Sequence, residues 1–341
     1  KINSFEFYRY EDIIKKEDDA GYDKTAFEKM LEIKGDSDHT KLIDMLTDLN
    51  DYSIGIEDVL KEHFDEENIV YWMAFQILMG NVDTQNRNVY LYSPLNSDIW
   101  YFIAWDNDGC LMRPEYELRN FSDQNSWEKG ISNYWGNILF QRCLKSRSFR
   151  EKLNDAILDL REYLNKDMLT SKIESYKNVL KPYLYLMPDA EYEPLTSEQY
   201  DQIAASLPDE IEKNYQLYLE SLETPMPFYI GVPSIDGDKL KFNWDVSYDL
   251  DAEDITYFVE VARDYLFRDV IYQNTTLTVP EAEMDLPEAG QYFVRVRATN
   301  TSGKTQDAFD YYVTDEGKHY GMKCFYITED NTVEEDIYEE G

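Results

Sequence analysis

The hydrophobic period of this 341-residue chain changes for good at Glu223-Thr224-Pro225-Met226-Pro227, and that change constrains what either side can fold into. Upstream, apolar residues recur at helical spacing; downstream, to about residue 314, they alternate. An apolar set repeating every 3.6 residues forms one stripe on a helix, and one repeating every two forms one face of a strand. The expected organisation is a mainly α domain over residues 1–222, an all-β sandwich over 223–315, and an acidic extension over 316–341.

In the first part, residues 25–33, 40–49 and 56–64 carry helix-period apolar positions. Residues 68–79 are apolar on almost every side (Ile69, Val70, Trp72, Met73, Phe75, Ile77, Leu78), which marks a helix in the middle of a domain, and Gly80 ends it. Residues 89–92 and 99–104 then read as two short strands joined by a turn-rich Ser93-Pro94-Leu95-Asn96-Ser97-Asp98. After a polar loop near 113–133, Phe149, Leu153, Ile157, Leu160 and Leu164 define a helix face, with Ser146 or Ser148 as its N-cap. The pattern then predicts a helix over 168–185, bent or ended at Pro182, and two more over 197–206 and 208–222, with Pro208 opening the last.

In the second part, strands are expected over 240–246, 255–262, 270–273, 275–279, 292–299 and 308–313. Trp244 stands where a sandwich buries one large aromatic. The run Leu286-Pro287-Glu288-Ala289-Gly290-Gln291-Tyr292-Phe293-Val294-Arg295-Val296-Arg297-Ala298 resembles the tyrosine-corner strand of a fibronectin type III domain, an immunoglobulin-like sandwich. That resemblance implies a Tyr292 hydroxyl tied to upstream backbone, with Tyr292, Val294 and Val296 in the core. The extension reads as a hairpin near 322–328 and a frayed acidic end (Glu334, Glu335, Asp336, Glu339, Glu340).

Acidic residues outnumber basic ones 69 to 33, a net charge of −36. A field of that sign repels nucleic-acid phosphates, so nucleic acid is set aside as a partner. It serves solubility, and it also suits cations and basic peptide segments. Three cysteines far apart (Cys110, Cys143, Cys324) form neither a disulfide framework nor, with His39, His63 and His319, a structural zinc site. No run is long and apolar enough to span a membrane, and no signal peptide is recognisable.

Two oxygen-rich runs carry the chemistry. Asn81-Val82-Asp83-Thr84-Gln85-Asn86-Arg87-Asn88 follows the apolar helix directly, and Trp105-Asp106-Asn107-Asp108-Gly109 ends the second strand. Phosphoryl transfer needs metal ions across the phosphates and an acceptor hydroxyl held in line. Hard Mg²⁺ or Mn²⁺ takes carboxylate and amide oxygens, which Asp83, Asn88 and Asp106 supply. Asp108 is balanced between a further metal ligand and a plain turn residue before Gly109. Asn81 is expected to cap backbone, Arg87 to pair at the surface, and Trp105 to pack in the core behind Asp106.

With Leu78-Met79-Gly80 before them, and Phe102-Ile103-Ala104 leading into Trp105, these runs resemble the spore coat protein H (CotH) family of atypical protein kinases. Gly136-Asn137-Ile138-Leu139-Phe140-Gln141-Arg142, Phe149-Arg150 and, more weakly, Phe27-Glu28-Lys29-Met30-Leu31-Glu32-Ile33-Lys34 fit its pattern too. The resemblance covers roughly residues 10–220. It implies a kinase C-lobe with Asp83 as the catalytic-loop residue and Asn88 and Asp106 as the metal and nucleotide-phosphate ligands. ATP with Mg²⁺ or Mn²⁺ would be the cofactor, and serine on coat or surface proteins the acceptor, with basic, Ser-rich substrates suiting the acidic field. Such family members carry a small ATP-gripping lobe first, with an Arg-x-Arg-Gly-Asn-like stretch and a phosphate-binding Lys. Residues 1–24 show nothing similar, so the chain is expected to be a C-terminal part that is inactive alone. A non-catalytic adhesion or spacer protein is the alternative. The expected setting is extracellular or wall-associated, with the spore coat as the other possibility.

Overall fold

Asp65 opens the helix that organises the first half of the chain: its side chain accepts the Asn68 backbone N–H at 2.9 Å, a standard N-cap. The structure, a computed structural model, describes residues 7, 15, 18–26, 39–85, 87–119, 127–315 and 317–336. Two compact units emerge, Lys1–Ser122 with Lys129–Tyr218, and Asp123–Glu128 with Leu219–Gly341. The expected helix at 25–33 lies outside the described residues beyond Ala26, as do the Phe27–Lys34 stretch, Asn86, and the acidic end beyond residue 336.

The helical unit runs α1 (Thr40–Asn50), α2 (Ile56–His63), α3 (Glu66–Met79), β1 (Tyr90–Tyr92), β2 (Tyr101–Ile103), α4 (Arg113–Arg119), α5 (Ile138–Lys145), α6 (Arg147–Tyr163), α7 (Lys166–Leu184) and α8 (Ser197–Glu223). Helix α3 is buried on most sides and packs on α6 and on β2, as its all-round apolar sequence requires. Trp72 lies 4.7 Å from the Phe102 ring and 5.7 Å from Phe140, which centres the core on α3, β2 and α5. The hairpin is tied to α3 by Asn68, whose side chain accepts from the Phe102 N–H at 2.6 Å and donates to the Phe102 carbonyl at 3.1 Å. Arg142 of α5, buried, donates to the Leu49 and Ile54 carbonyls and so closes the α1–α2 connection. Ser146 is the cap of α6, accepting from the Phe149 N–H at 3.2 Å.

Helix α7 has the expected span to within two residues and runs through Pro182 to Leu184. One boundary differs from expectation: residues 197–223 form one helix with Pro208 inside it, not two. A proline inside a helix forfeits one backbone hydrogen bond. Here a continuous buried stripe, Ala204, Ile211, Asn214 and Tyr218, keeps one axis across it. Tertiary packing outweighs the local signal.

The β unit contains β3 (Ser234–Asp236), β4 (Lys239–Asn243), β5 (Ile255–Ala262), β6 (Val270–Leu277), β7 (Glu281–Asp285), β8 (Gly290–Asn300), β9 (Thr305–Asp307), β10 (Tyr311–Thr314), β11 (Gly317–Tyr320), β12 (Met322–Ile327) and β13 (Val333–Glu335). One antiparallel sheet has the order β13-β12-β8-β5-β6, with β9 also on β8; a second is β3-β4-β7. Leu240 and Phe242 from the second sheet, with Trp244 just past the end of β4, share one core with Val259, Val261, Tyr292, Val294, Val296 and Phe325 from the first. The Tyr292 hydroxyl donates to the Glu288 carbonyl at 2.8 Å. The fold as a whole is helices plus antiparallel sheets.

Three β expectations change. Residues 270–277 are one strand whose pairing with β5 shifts register, not two strands. The expected 308–313 strand is split, because residues 308–310 leave the sheet: Phe309 N–H donates to Phe228 O at 2.8 Å, and Asp310 accepts the Ile230 N–H at 2.7 Å. Residues 322–327, expected in an extension beyond the sandwich, pair as β12 with β8 from Met322↔Arg295 to Ile327↔Gly290. Phe325, with no exposed surface, fills the core from that strand.

Candidate active site

The first oxygen-rich run is shaped from its own N-terminus. Gly80 ends α3 in the left-handed region (φ 60°, ψ 33°), and the Asn81 N–H turns back to the Gln76 carbonyl at 3.0 Å. Asn81 accepts the Asp83 N–H at 3.3 Å through its side-chain oxygen and so caps the single 3-10 turn Val82–Thr84. From below, Thr84 Oγ1 donates to the Asn81 carbonyl (3.2 Å) and meets the Tyr134 hydroxyl (3.1 Å). Asn133 Nδ2 donates to the Val82 carbonyl at 3.2 Å, and Asn137 Nδ2 to the Gln85 carbonyl at 2.9 Å. The Asn81, Val82 and Gln85 carbonyls are thus satisfied from inside the protein. The Asp83 side chain is left facing solvent.

The second run meets the first at Gly109. A Cβ there would stand 3.1 Å from Asn81 Oδ1 and 3.2 Å from Asp83 Oδ2, so the turn Asn107–Gly109 lies directly against the Asp83 carboxylate. Asn107 Oδ1 accepts from Gln76 Nε2 at 3.1 Å and from Asn81 Nδ2 at 3.3 Å, while Asn81 Nδ2 also donates to Gln76 Oε1 at 3.0 Å. This amide triangle locks one loop to the other. Asp106 and Asp108, on that turn, are exposed. Asn88 is half-buried, beside the fully buried Val89.

Asn88 and Asp106 both adopt left-handed backbone, φ 54° and 52°. Asn and Asp tolerate that region better than other non-glycine residues, and such conformers gather at functional sites. Burial pushes the Cys110 thiol up to about 12, against the pull of an Asn81 hydrogen bond, and Asp108 raises it further. Burial thus favours the protonated Cys110 thiol over the nucleophilic thiolate. Burial likewise raises the Tyr134 phenol, which serves as a hydrogen-bonding post under the loop.

The fold brings Asp83 against the Asp106–Gly109 turn and places Asn88 at the root of β1. Among the described residues no three His, Cys, Asp or Glu side chains converge as a metal cage. Mg²⁺ does not require one: it keeps waters and takes substrate phosphates, so one or two carboxylates suffice. The exposed carboxylates of Asp83, Asp106 and Asp108 have the chemistry such an ion takes, and the Asn88 amide is half-buried at the root of β1. Trp105 is not core packing. It is 48% exposed and stacks on Tyr90 at 5.5 Å. The alternation that turns Phe102 inward turns Ile103 and Trp105 outward with Tyr90, the register partner of Ile103.

The residues that sequence spacing missed are the buttresses Gln76, Asn107, Asn133 and Tyr134. Gln76 did carry a signal, as a polar residue near the end of an apolar helix, where it is fully buried.

No curated protein matches the chain. Among solved structures, that of surface layer protein SbsC, domains 1–6, aligns over 98% of this chain and 41% of its own length, at 11% identity and a TM-score of 0.16. That score is too low to say anything of fold or function. A family model for CotH kinase protein matches residues 3–218, more than half the chain. With the paired loops in place at 81–88 and 105–109, the chain belongs to the CotH kinase protein family.

Proposed function

We propose that this kinase-like chain forms the acceptor and metal-holding half of a phosphotransfer site that moves the ATP γ-phosphoryl group to serine. The observation that carries the reading is the close approach at Gly109, which sets the Asp83 loop beside the turn bearing Asp106 and Asp108. In that role the exposed Asp83 carboxylate accepts a hydrogen bond from the serine hydroxyl and orients it. Asn88 and Asp106 would hold Mg²⁺ or Mn²⁺, with Asp108 as an additional oxygen donor. The bound ion would neutralise charge across the phosphates. The Oγ–P bond forms, the bond to the ADP oxygen breaks, and the hydroxyl proton is released.

On this reading residues 1–222 have the element order of a kinase C-lobe, an apolar helix, a loop bearing Asp83, a hairpin and the Asp106 turn. The β unit is a fibronectin type III-like sandwich, supported by its two-sheet core and the Tyr292–Glu288 bond. The acidic field favours basic, Ser-rich protein substrates. A wall-associated or extracellular setting, or the spore coat, suits the family and the β unit. No described helix is long and apolar enough to cross a membrane.

The test is transfer of labelled γ-phosphate to a basic, Ser-containing protein with Mg²⁺ or Mn²⁺. Transfer is expected from the product of the complete gene, and none from Asp83→Ala or Asp106→Ala. No transfer by the complete gene product, together with no metal-dependent ATP binding, would leave a kinase-shaped scaffold for adhesion.

A further inference from the structure

The last carbonyls of a helix have no partner within it. At the end of α3 two of them are claimed from far away. The Leu78 carbonyl accepts from Asn214 Nδ2 of α8 at 2.9 Å, and the Met79 carbonyl accepts the Leu111 N–H at 2.8 Å. Leu111 adopts a left-handed φ of 57° there, unusual for a branched aliphatic side chain.

Asn214 is itself fixed. Its Oδ1 accepts from Arg113 Nη2 at 2.6 Å, and Arg113 Nη1 donates to Glu210 Oε2 at 3.0 Å. Glu210 also takes Lys213 Nζ at 2.5 Å, so its carboxylate, only 1% exposed, is matched by two cations. A buried carboxylate persists only when so paired, and Arg supplies the planar fork that reaches two acceptors at once. Glu210 and Asn214 sit one helical turn apart on a stripe otherwise occupied by Ala204, Ile211 and Tyr218. Their place on a buried apolar face calls for a reason.

That reason lies in what the cluster joins. Leu78 precedes Asp83 by five residues, and Arg113 follows Asp106 by seven. One amide on α8 therefore touches the chain just before the first loop and just after the second. We infer that Asn214, oriented by Arg113 and Glu210, is a positioning residue that sets the Asp83 loop against the Asp106–Gly109 turn. Its functional meaning rests on the phosphotransfer reading above; its geometry does not.

Hydrogen exchange read by mass spectrometry on the full chain tests it with Asn214→Ala and, separately, Arg113→Lys. Amides within 80–88 and 106–112 should exchange about tenfold faster or more in both variants, while α1 and α2 keep their rates. In the transfer assay of the complete gene product, Asn214→Ala should lower kcat by at least about tenfold, since small misplacements of reacting groups cost that much or more, and should raise the Mg²⁺ concentration for half-maximal rate. Faster exchange confined to α8 would overturn the proposal. So would an even rise across α1, α2 and α6, which would make Asn214 a general stability residue. If wild type transfers no phosphate, the phosphotransfer reading falls while the exchange data still decide the positioning role.

Discussion

Gly80 offers a quantitative check on how tightly α8 grips the end of α3. A Cβ at Gly80 would lie 2.7 Å from Asn214 Nδ2, closer than real contacts allow, and the backbone is left-handed at φ +60°. Gly80→Ala therefore carries two costs. The left-handed alanine costs about 1–2 kcal/mol. Displacing Asn214 costs about 1 kcal/mol for its bond to Leu78 O and roughly 1.5–3 kcal/mol for the charge-assisted bond from Arg113. The sum is about 4–6 kcal/mol, near the upper end for single substitutions. In an Asn214→Ala background the collision is gone, and Gly80→Ala should cost only the ~1–2 kcal/mol of backbone strain. The cycle thus predicts a coupling of roughly 3 kcal/mol. Urea unfolding followed by far-UV circular dichroism reads it, since the helical signal comes almost wholly from the first unit. Equal costs of Gly80→Ala in the two backgrounds, within about 0.5 kcal/mol, would refute the close approach.

Tyr292→Phe removes the hydroxyl bonded to Glu288 and should cost the β unit about 1 kcal/mol without moving the helical transition, read by near-UV against far-UV melting. Ser146→Ala loses the α6 cap, worth about 1 kcal/mol, and also the hydroxyl that bonds Glu57. That Ser146 bond, chiefly, holds the Glu57 carboxyl below its ordinary 4.5. A depressed folded value stabilises above pH 4.5 and is lost as pH falls through the folded value, so the gap between wild type and Ser146→Ala should narrow in acid. A gap that widens there would contradict the sign.

Helices α1 to α3 and strands β5 and β8 are legible in the sequence because one apolar set serves both local period and final burial. Pro208 hides the continuity of α8, since the stripe that carries the axis across it is fulfilled only by distant packing. Strand β12 hides for a related reason. Met322-Lys323-Cys324-Phe325-Tyr326-Ile327 looks like half of a local hairpin, while its partner on β8 begins about thirty residues earlier. At the candidate site, spacing picks out Asp83, Asn88 and Asp106 as oxygen donors on two loops. It does not reveal that Gly109 lets the loops touch, nor that Gln76, Asn107 and Asn214 bind them together. Those links are side-chain amides bridging segments up to 136 residues apart, as Asn214 to Leu78 illustrates, and no local pattern records them.

The pairing of β12 with β8 also sets an order of events during synthesis. From residue 293 to 295, β8 has β5 on one side and β12 on the other, and β12 leaves the ribosome only after the β9 strand and the β10–β11 hairpin. At ordinary elongation speeds the intervening stretch takes roughly one to five seconds to make. Through that interval the hydrogen-bonding groups of a long, apolar strand stand open to any neighbouring chain. Nascent β units on adjacent ribosomes are thus most prone to pair with one another in that window, and a chaperone that shields β8 until Phe325 arrives would raise the yield of the whole protein.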